Sequence, residues 1–196
     1  MNEPLLPDLP PQAPRTRRGL LSRVCRLILQ WTGWRLRGRF PDEPRLIIIG
    51  VPHSSNWDGI LGLLMKIALG VDIRIMIKKE LIDSPLGPLL RRLGMIGIDR
   101  KAAIGVVGQM HQQFTTHERL WLGITPEGTR KQVKRWKSGF LRIAHAADVP
   151  IVPLCIDYPS KTFTLGELQY ASGDVDADLD RIRALFAGCR GRHRNA

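Results

Sequence analysis

Arg45-Leu46-Ile47-Ile48-Ile49-Gly50-Val51 runs straight into Pro52-His53-Ser54-Ser55-Asn56-Trp57-Asp58. The first seven residues are apolar almost without interruption rather than alternating, the pattern of a strand covered on both faces, as in parallel sheets. Downstream the same logic repeats. Helical patterning over Trp57–Leu69 precedes a strand over Val71–Lys78, then a helix over Ser84–Leu93 despite Pro85 and Pro88. Met95–Ile98 reads as a short strand, Ala102–Thr116 as a helix, Leu120–Ile124 as a strand and Ser138–Ala147 as a helix. Ile151–Asp157 reads as a strand and Thr162–Tyr170 as a further strand or edge. A last helix is expected over Asp174–Ala187, with Asp174, Asp176 and Asp178 early and arginines late, matching the helix dipole. Strands separated by helices predict an α/β fold: one layered domain over residues 41–190 with a mostly parallel central sheet flanked by helices. No internal repeat is visible.

Upstream, the character changes twice. Residues 1–14 hold five prolines and read as a disordered lead. Residues 15–40 read as a basic amphipathic helix. Leu20, Leu21, Val24, Leu27, Ile28 and Trp31 recur at helical spacing, while Arg17, Arg18, Arg23, Arg26, Arg35, Arg37 and Arg39 have no acid between them. Trp31 and Trp34 are rings of the kind that settle at a lipid headgroup boundary. Such a helix either lies in a membrane surface or packs its apolar stripe on the domain with its arginines in water. Residues 191–196 form a short basic tail.

The whole chain, 196 residues with 43% hydrophobic residues, has enough apolar content for a real core. Thirty Lys and Arg against 18 Asp and Glu give a net charge of +12, which calls for an anionic partner: phosphate, nucleic acid or anionic lipid. The longest apolar stretch, Gly59–Val71, is shorter than the roughly 20 residues a membrane span needs and carries Lys66. The acidic, Pro-rich start does not resemble a secretory signal. Cys25, Cys155 and Cys189 are odd in number and far apart, so a disulfide framework is not expected and a reducing compartment is.

Three segments carry candidate chemistry. His53 and Asp58 would diverge by about 140° on one helix, but they meet if His53 stays in the loop and Asp58 enters the first helical turn behind Ser55 as N-cap. Asp58 would then fix the tautomer of His53 and support its charged form; equally, Ser55 and Asp58 read as an ordinary capping box beside a loop histidine. Thr125-Pro126-Glu127-Gly128-Thr129-Arg130 follows an apolar strand, with Gly128 allowing close backbone approach and Arg130 offering a bidentate fork for phosphate. Lys131, Lys134, Arg135 and Lys137 continue the charge, which also suits a solvated basic turn. Gly94–Arg100 is a short strand ending in Asp99 and Arg100, at the sheet end where open α/β folds bind ligands. His111, His117, His145 and His193 lack paired metal-ligand spacing, and Cys155 reads as core.

Together, His53–Asp58, Gly94–Arg100, Pro126–Arg130 and Val149-Pro150-Ile151-Val152-Pro153 resemble, in order, the four blocks of the glycerolipid acyltransferases of the His-x4-Asp superfamily, typified by the bacterial 1-acyl-sn-glycerol-3-phosphate acyltransferases. They cover about residues 45–157. The resemblance implies that His53 and Asp58 are the catalytic pair, that Arg100, Glu127, Gly128, Thr129, Arg130 and Lys137 bind the acceptor, and that Pro153 belongs to a structural block near the site. Pro52 stands where the family usually has Asn, and Lys131 where Ser is common.

The expected activity is O-acyl transfer from an acyl thioester, acyl-CoA or acyl carrier protein, to a lysolipid hydroxyl, most simply 1-acyl-sn-glycerol 3-phosphate, or alternatively a lyso-aminolipid. No metal or prosthetic group is required, and an anionic membrane surface is the expected partner. The expected location is the cytoplasmic face of a bacterial inner membrane, peripheral or monotopic. A non-catalytic membrane- or nucleic-acid-binding module would explain the charge; but no helix-turn-helix, RNP or zinc-finger pattern is present, and such a module has no use for the four blocks.

Overall fold

A computed structural model describes residues 5–99, 101–131, 133 and 135–193. In chain order the elements are α1 (Leu20–Thr32), β1 (Arg35–Arg37), β2 (Arg45–Val51), α2 (Asn56–Leu69), β3 (Ile73–Lys78), α3 (Lys79–Ile82), α4 (Gly87–Arg92), β4 (Met95–Ile98), α5 (Gly105–Thr116), β5 (Leu120–Ile124), α6 (Gly139–Ala147), β6 (Ile151–Asp157), β7 (Thr162–Leu165) and α7 (Val175–Ala184). The seven strands form one sheet in the order β1-β7-β6-β2-β5-β3-β4. Neighbours from β6 to β4 run parallel, β7 is antiparallel to β6, and β1 is parallel to β7. The mixed but mostly parallel α/β sheet agrees with the reading of the sequence.

The apolar run of β2 is central because both its faces are covered. Leu46 and Ile48 enter a core with α1 and α2, whereas Ile47, Ile49 and Val51 enter a second core with α5, α6 and α7. Each such side chain contributes about 1.5–3 kcal/mol on burial. The helices after the neighbouring strands β2 and β5 leave to opposite faces, α2 to the first core and α6 to the second. That divergence opens a crevice at the carboxyl ends of β2 and β5, the place where open α/β sheets bind ligands.

Several local expectations are corrected. The described part of the lead is packed: Leu6, Leu9 and Ala13 are buried in the first core. Arg15 donates to the carbonyls of Leu9 and Pro10, and Asp72 N–H donates to Pro14 O, so this segment is pinned to the domain. The expected helix over 15–40 stops at Gly33, whose φ of +78° ends it in a left-handed cap. Trp34, Leu36 and Phe40 then turn inward while Arg35 and Arg37 turn out, a two-residue period that makes β1 an edge strand. The strand from Thr162 ends at Leu165.

The arm and α2 are joined by polar contacts at the end of α2. Ser22 Oγ and Arg26 donate to Ala68 O, and Arg18 donates to Leu69 O. These are last-turn carbonyls with no helical partner of their own. Beside them buried Lys66 donates to Ile73 O and Leu93 O, and burial pushes its pKa down to about 8.

Cys155 and Cys189 are joined in a disulfide, which corrects the expectation of unpaired thiols and removes the premise for a reducing compartment. β6 and the chain after α7 approach only in the folded state, 34 residues apart in sequence, so spacing gave no hint. Closing a loop of that length limits the unfolded chain by about 3–4 kcal/mol. A reductant should therefore lower the melting temperature of the wild type but leave that of Cys189→Ser unchanged. Equal melting of the wild type with and without reductant would contradict the bond's contribution.

Candidate active site

The turn between β2 and α2 places His53 and Asp58 together. Ser55 caps α2, its Oγ accepting from Trp57 N–H at 3.1 Å, and Asp58 closes the capping box. Asp58 Oδ2 accepts the N–H groups of Ser54 at 2.6 Å and Ser55 at 2.7 Å, and lies 3.4 Å from His53 Nδ1. The capping box and the His–Asp pair, two alternatives in the sequence, are thus one structure. The Asp58 side chain is 2% exposed and that of His53 24%, so the acid is sealed behind a histidine that reaches solvent. Burial alone would raise the pKa of Asp58. Hydrogen bonds from His53, Tyr158, Ser55 and Ser54 outweigh it and hold the carboxyl below its ordinary value, so Asp58 stays charged beside the imidazole.

The segment after β5 completes the crevice. Glu127 is buried, and its Oε2 accepts His53 N–H at 2.6 Å. Glu127 thereby braces the histidine loop from the neighbouring strand. Gly128 has φ +64°, a left-handed conformation that favours glycine, and a Cβ there would stand 2.9 Å from the Lys137 side chain, which lies over it. Thr129 Oγ1 accepts from Lys131 N–H, and exposed Arg130 donates to Asn56 Oδ1, tying the β5 loop to the first turn of α2. Arg130 and Lys137 thus stand at the crevice as cations. Arg100 lies outside the described residues. Pro153 pairs in register with Ile49 of β2, and so backs the strand that feeds the site.

Two contributors carry no local signal in the sequence. Tyr158, just after β6, donates its hydroxyl to Asp58 Oδ1 at 2.5 Å. The tail returns to the site: Arg192 N–H donates to Ser54 Oγ at 3.0 Å and the Arg192 guanidinium lies 5.2 Å from the Trp57 ring centre. Together with α1 and α2 they line a groove of about 330 Å³ whose walls include Ile28, Trp34, Ile60, Leu61 and Leu64, with Lys161 and Arg192 also lining it. Tyr158 thus both lines this groove and donates to Asp58.

Residues 35–157 match the family model "Acyltransferase". A 1-acyl-sn-glycerol-3-phosphate acyltransferase alpha of Homo sapiens is 30% identical over 168 residues, covering 73% of this chain and 57% of the relative. The 1-acyl-sn-glycerol-3-phosphate acyltransferase of Escherichia coli is 30% identical over 131 residues, 58% of this chain and 52% of the relative. A probable enzyme of the same name from Mycoplasma pneumoniae is 32% identical over 121 residues, 57% of this chain and 44% of the relative. The chain thus spans about half the length of these relatives. The crystal structure of the 1-acyl-sn-glycerophosphate acyltransferase from Thermotoga maritima superposes with a TM-score of 0.57 over 87% of this chain and 80% of that one, at 16% identity, a likeness of fold.

Proposed function

The chain belongs to the acyltransferase family, and from that premise we propose that it moves an acyl group from an acyl thioester to the free hydroxyl of a lysolipid, 1-acyl-sn-glycerol 3-phosphate first among them. The observation that carries this reading is the His53–Asp58 pair at the carboxyl end of β2, with the acid buried and the histidine accessible. In this scheme His53 takes the proton of the acceptor hydroxyl as its oxygen attacks the thioester carbonyl. Asp58 orients the ring and stabilises the imidazolium. Collapse of the tetrahedral oxyanion forms the ester, expels the thiolate of coenzyme A or acyl carrier protein, and returns the proton from His53 to sulfur. The groove beside Tyr158 suits an acyl chain, and Arg130 with Lys137 suits the acceptor phosphate.

The acceptor and product both partition into bilayers, so the enzyme must work at their surface. The exposure of α1 favours docking over packing. Ser22, Cys25 and Leu29 face the domain, whereas Leu20, Leu21, Val24, Leu27, Ile28 and Trp31 face out, joined by Trp57 and Ile60 of α2. With about 100° between successive residues, Arg23 flanks that apolar sector. Arg17, Arg35, Arg37 and Arg39 are also exposed, while Arg18 and Arg26 donate to the end of α2. Among the described residues no helix is long and apolar enough to cross a membrane. The exposed apolar face of α1 thus supports peripheral or monotopic attachment to an anionic membrane surface.

The headgroup tests the substrate. Arg130→Ala should raise the KM for lysophosphatidic acid about tenfold or more and leave the donor KM unchanged. Monoacylglycerol, which lacks the phosphate, should be used equally by both proteins. A loss confined to the donor KM would place Arg130 on the coenzyme or carrier phosphates instead.

A further inference from the structure

We propose that Tyr158 is a positioning residue for the acyl-transfer pair, holding the Asp58 carboxylate in the one orientation that presents Oδ2 to His53. The inference rests on reading His53 and Asp58 as that pair. A carboxylate offers about four lone-pair sites, and here four donors surround it. Ser54 N–H, Ser55 N–H and His53 Nδ1 are on Oδ2, and the Tyr158 hydroxyl is on Oδ1. The Asp side-chain torsion is broad and roughly two-fold, so the backbone donors at one oxygen need a counterpart at the other to fix the plane. Tyr158 is the donor that reaches Oδ1 in the structure, from 100 residues away in sequence.

The tyrosine is itself held in place by its ring and its backbone. Its ring packs edge-on against Trp34 at 5.0 Å, its N–H donates to Arg190 O, and its ring lines the groove. Burial and the neighbouring Asp58 push its phenol well above the ordinary range, so it remains a donor throughout the working pH. Among the described residues, the charged or titratable groups around the pair include Glu127 on the His53 backbone, Arg130 on Asn56, His193 beside Ser54, and Arg192 and Lys161 on the groove side. None of these changes identity in the test.

A hydrogen bond drains charge from the carboxylate it serves. Without it, the Asp58 carboxylate keeps more of its charge opposite the imidazolium, and the acid limb of kcat/KM moves to higher pH. With full-length Tyr158→Phe, kcat should fall about tenfold or more. Both KM values should hold, and the acid limb should move up by about half a unit or more. A second probe leaves the shape of the residue intact. The chain has two tyrosines, so 3-fluorotyrosine in a Tyr170→Phe background reports on position 158 alone. Its more acidic phenol should move the limb the opposite way, to lower pH.

An acid limb that coincides with the wild type in both proteins, whatever their kcat, would overturn the proposal. His53→Ala measured alongside separates the two levels. Retained turnover there removes the pair and Tyr158 with it. An inert His53→Ala beside unmoved limbs removes Tyr158 alone.

Discussion

His53→Ala is expected to lower acyl transfer by about 10²–10⁴-fold, the range a positioned general base supplies, with the fold intact. The side chain is part-exposed and hangs from a loop held by its own N–H on Glu127, a bond that alanine keeps. Donor and acceptor KM values should change little, because the imidazole serves the proton transfer rather than binding the phosphate or the acyl chain. Asp58→Asn should fall steeply as well: its amide oxygen still accepts from Ser54 and Ser55 and keeps α2 capped, but the negative charge facing the imidazolium is gone. Near-normal turnover by folded His53→Ala, measured as thiol released from the acyl donor, would end the mechanism.

The second large effect is expected at α1. Leu27→Glu with Trp31→Glu should reduce binding to anionic vesicles about a hundredfold or more, since each change withdraws roughly 1.5–3 kcal/mol of apolar burial and adds repulsion. Leu27 is 63% and Trp31 89% exposed, so the melting temperature should not change. Point changes are the appropriate test here. Removing the whole arm would also strip Leu29, Trp34, Leu36 and Phe40 from the core and β1 from the sheet. Activity on membrane-embedded acceptor should drop with vesicle binding, while activity on a short-chain soluble acceptor should persist. Undiminished sedimentation with vesicles would show that the membrane contact lies elsewhere.

The sequence was most legible where a local pattern coincides with a local cause. The uninterrupted run from Leu46 to Ile49 announced a strand with two covered faces, and Ser55 with Asp58 announced a helix start whose cap doubles as the histidine's partner. The apolar stripe of α1 was visible too, but periodicity alone cannot say whether a stripe faces a core or a membrane. In the structure Cys25 and Leu29 occupy the packed side and leave the stripe exposed. The misses are long-range. Tyr158 meets Asp58, Arg192 meets Ser54, and Cys189 meets Cys155 only because β6 and the chain after α7 return to the end of β2. The burial of Glu127 under the His53 backbone likewise has no counterpart in composition. The lead was misread through its prolines, which mask Leu6, Leu9 and Ala13 spaced to cover the core.

Acyl transfer itself is tested most directly by following both products in one reaction. Purified full-length protein is mixed with an acyl thioester and 1-acyl-sn-glycerol 3-phosphate in anionic vesicles, and released thiol and diacyl product are quantified together. The expected result is one phosphatidic acid formed per thiol released, with thiol release dependent on the acceptor and absent in His53→Ala. Thiol release that proceeds without acceptor, or the absence of any release, would contradict the assignment of an acyltransferase.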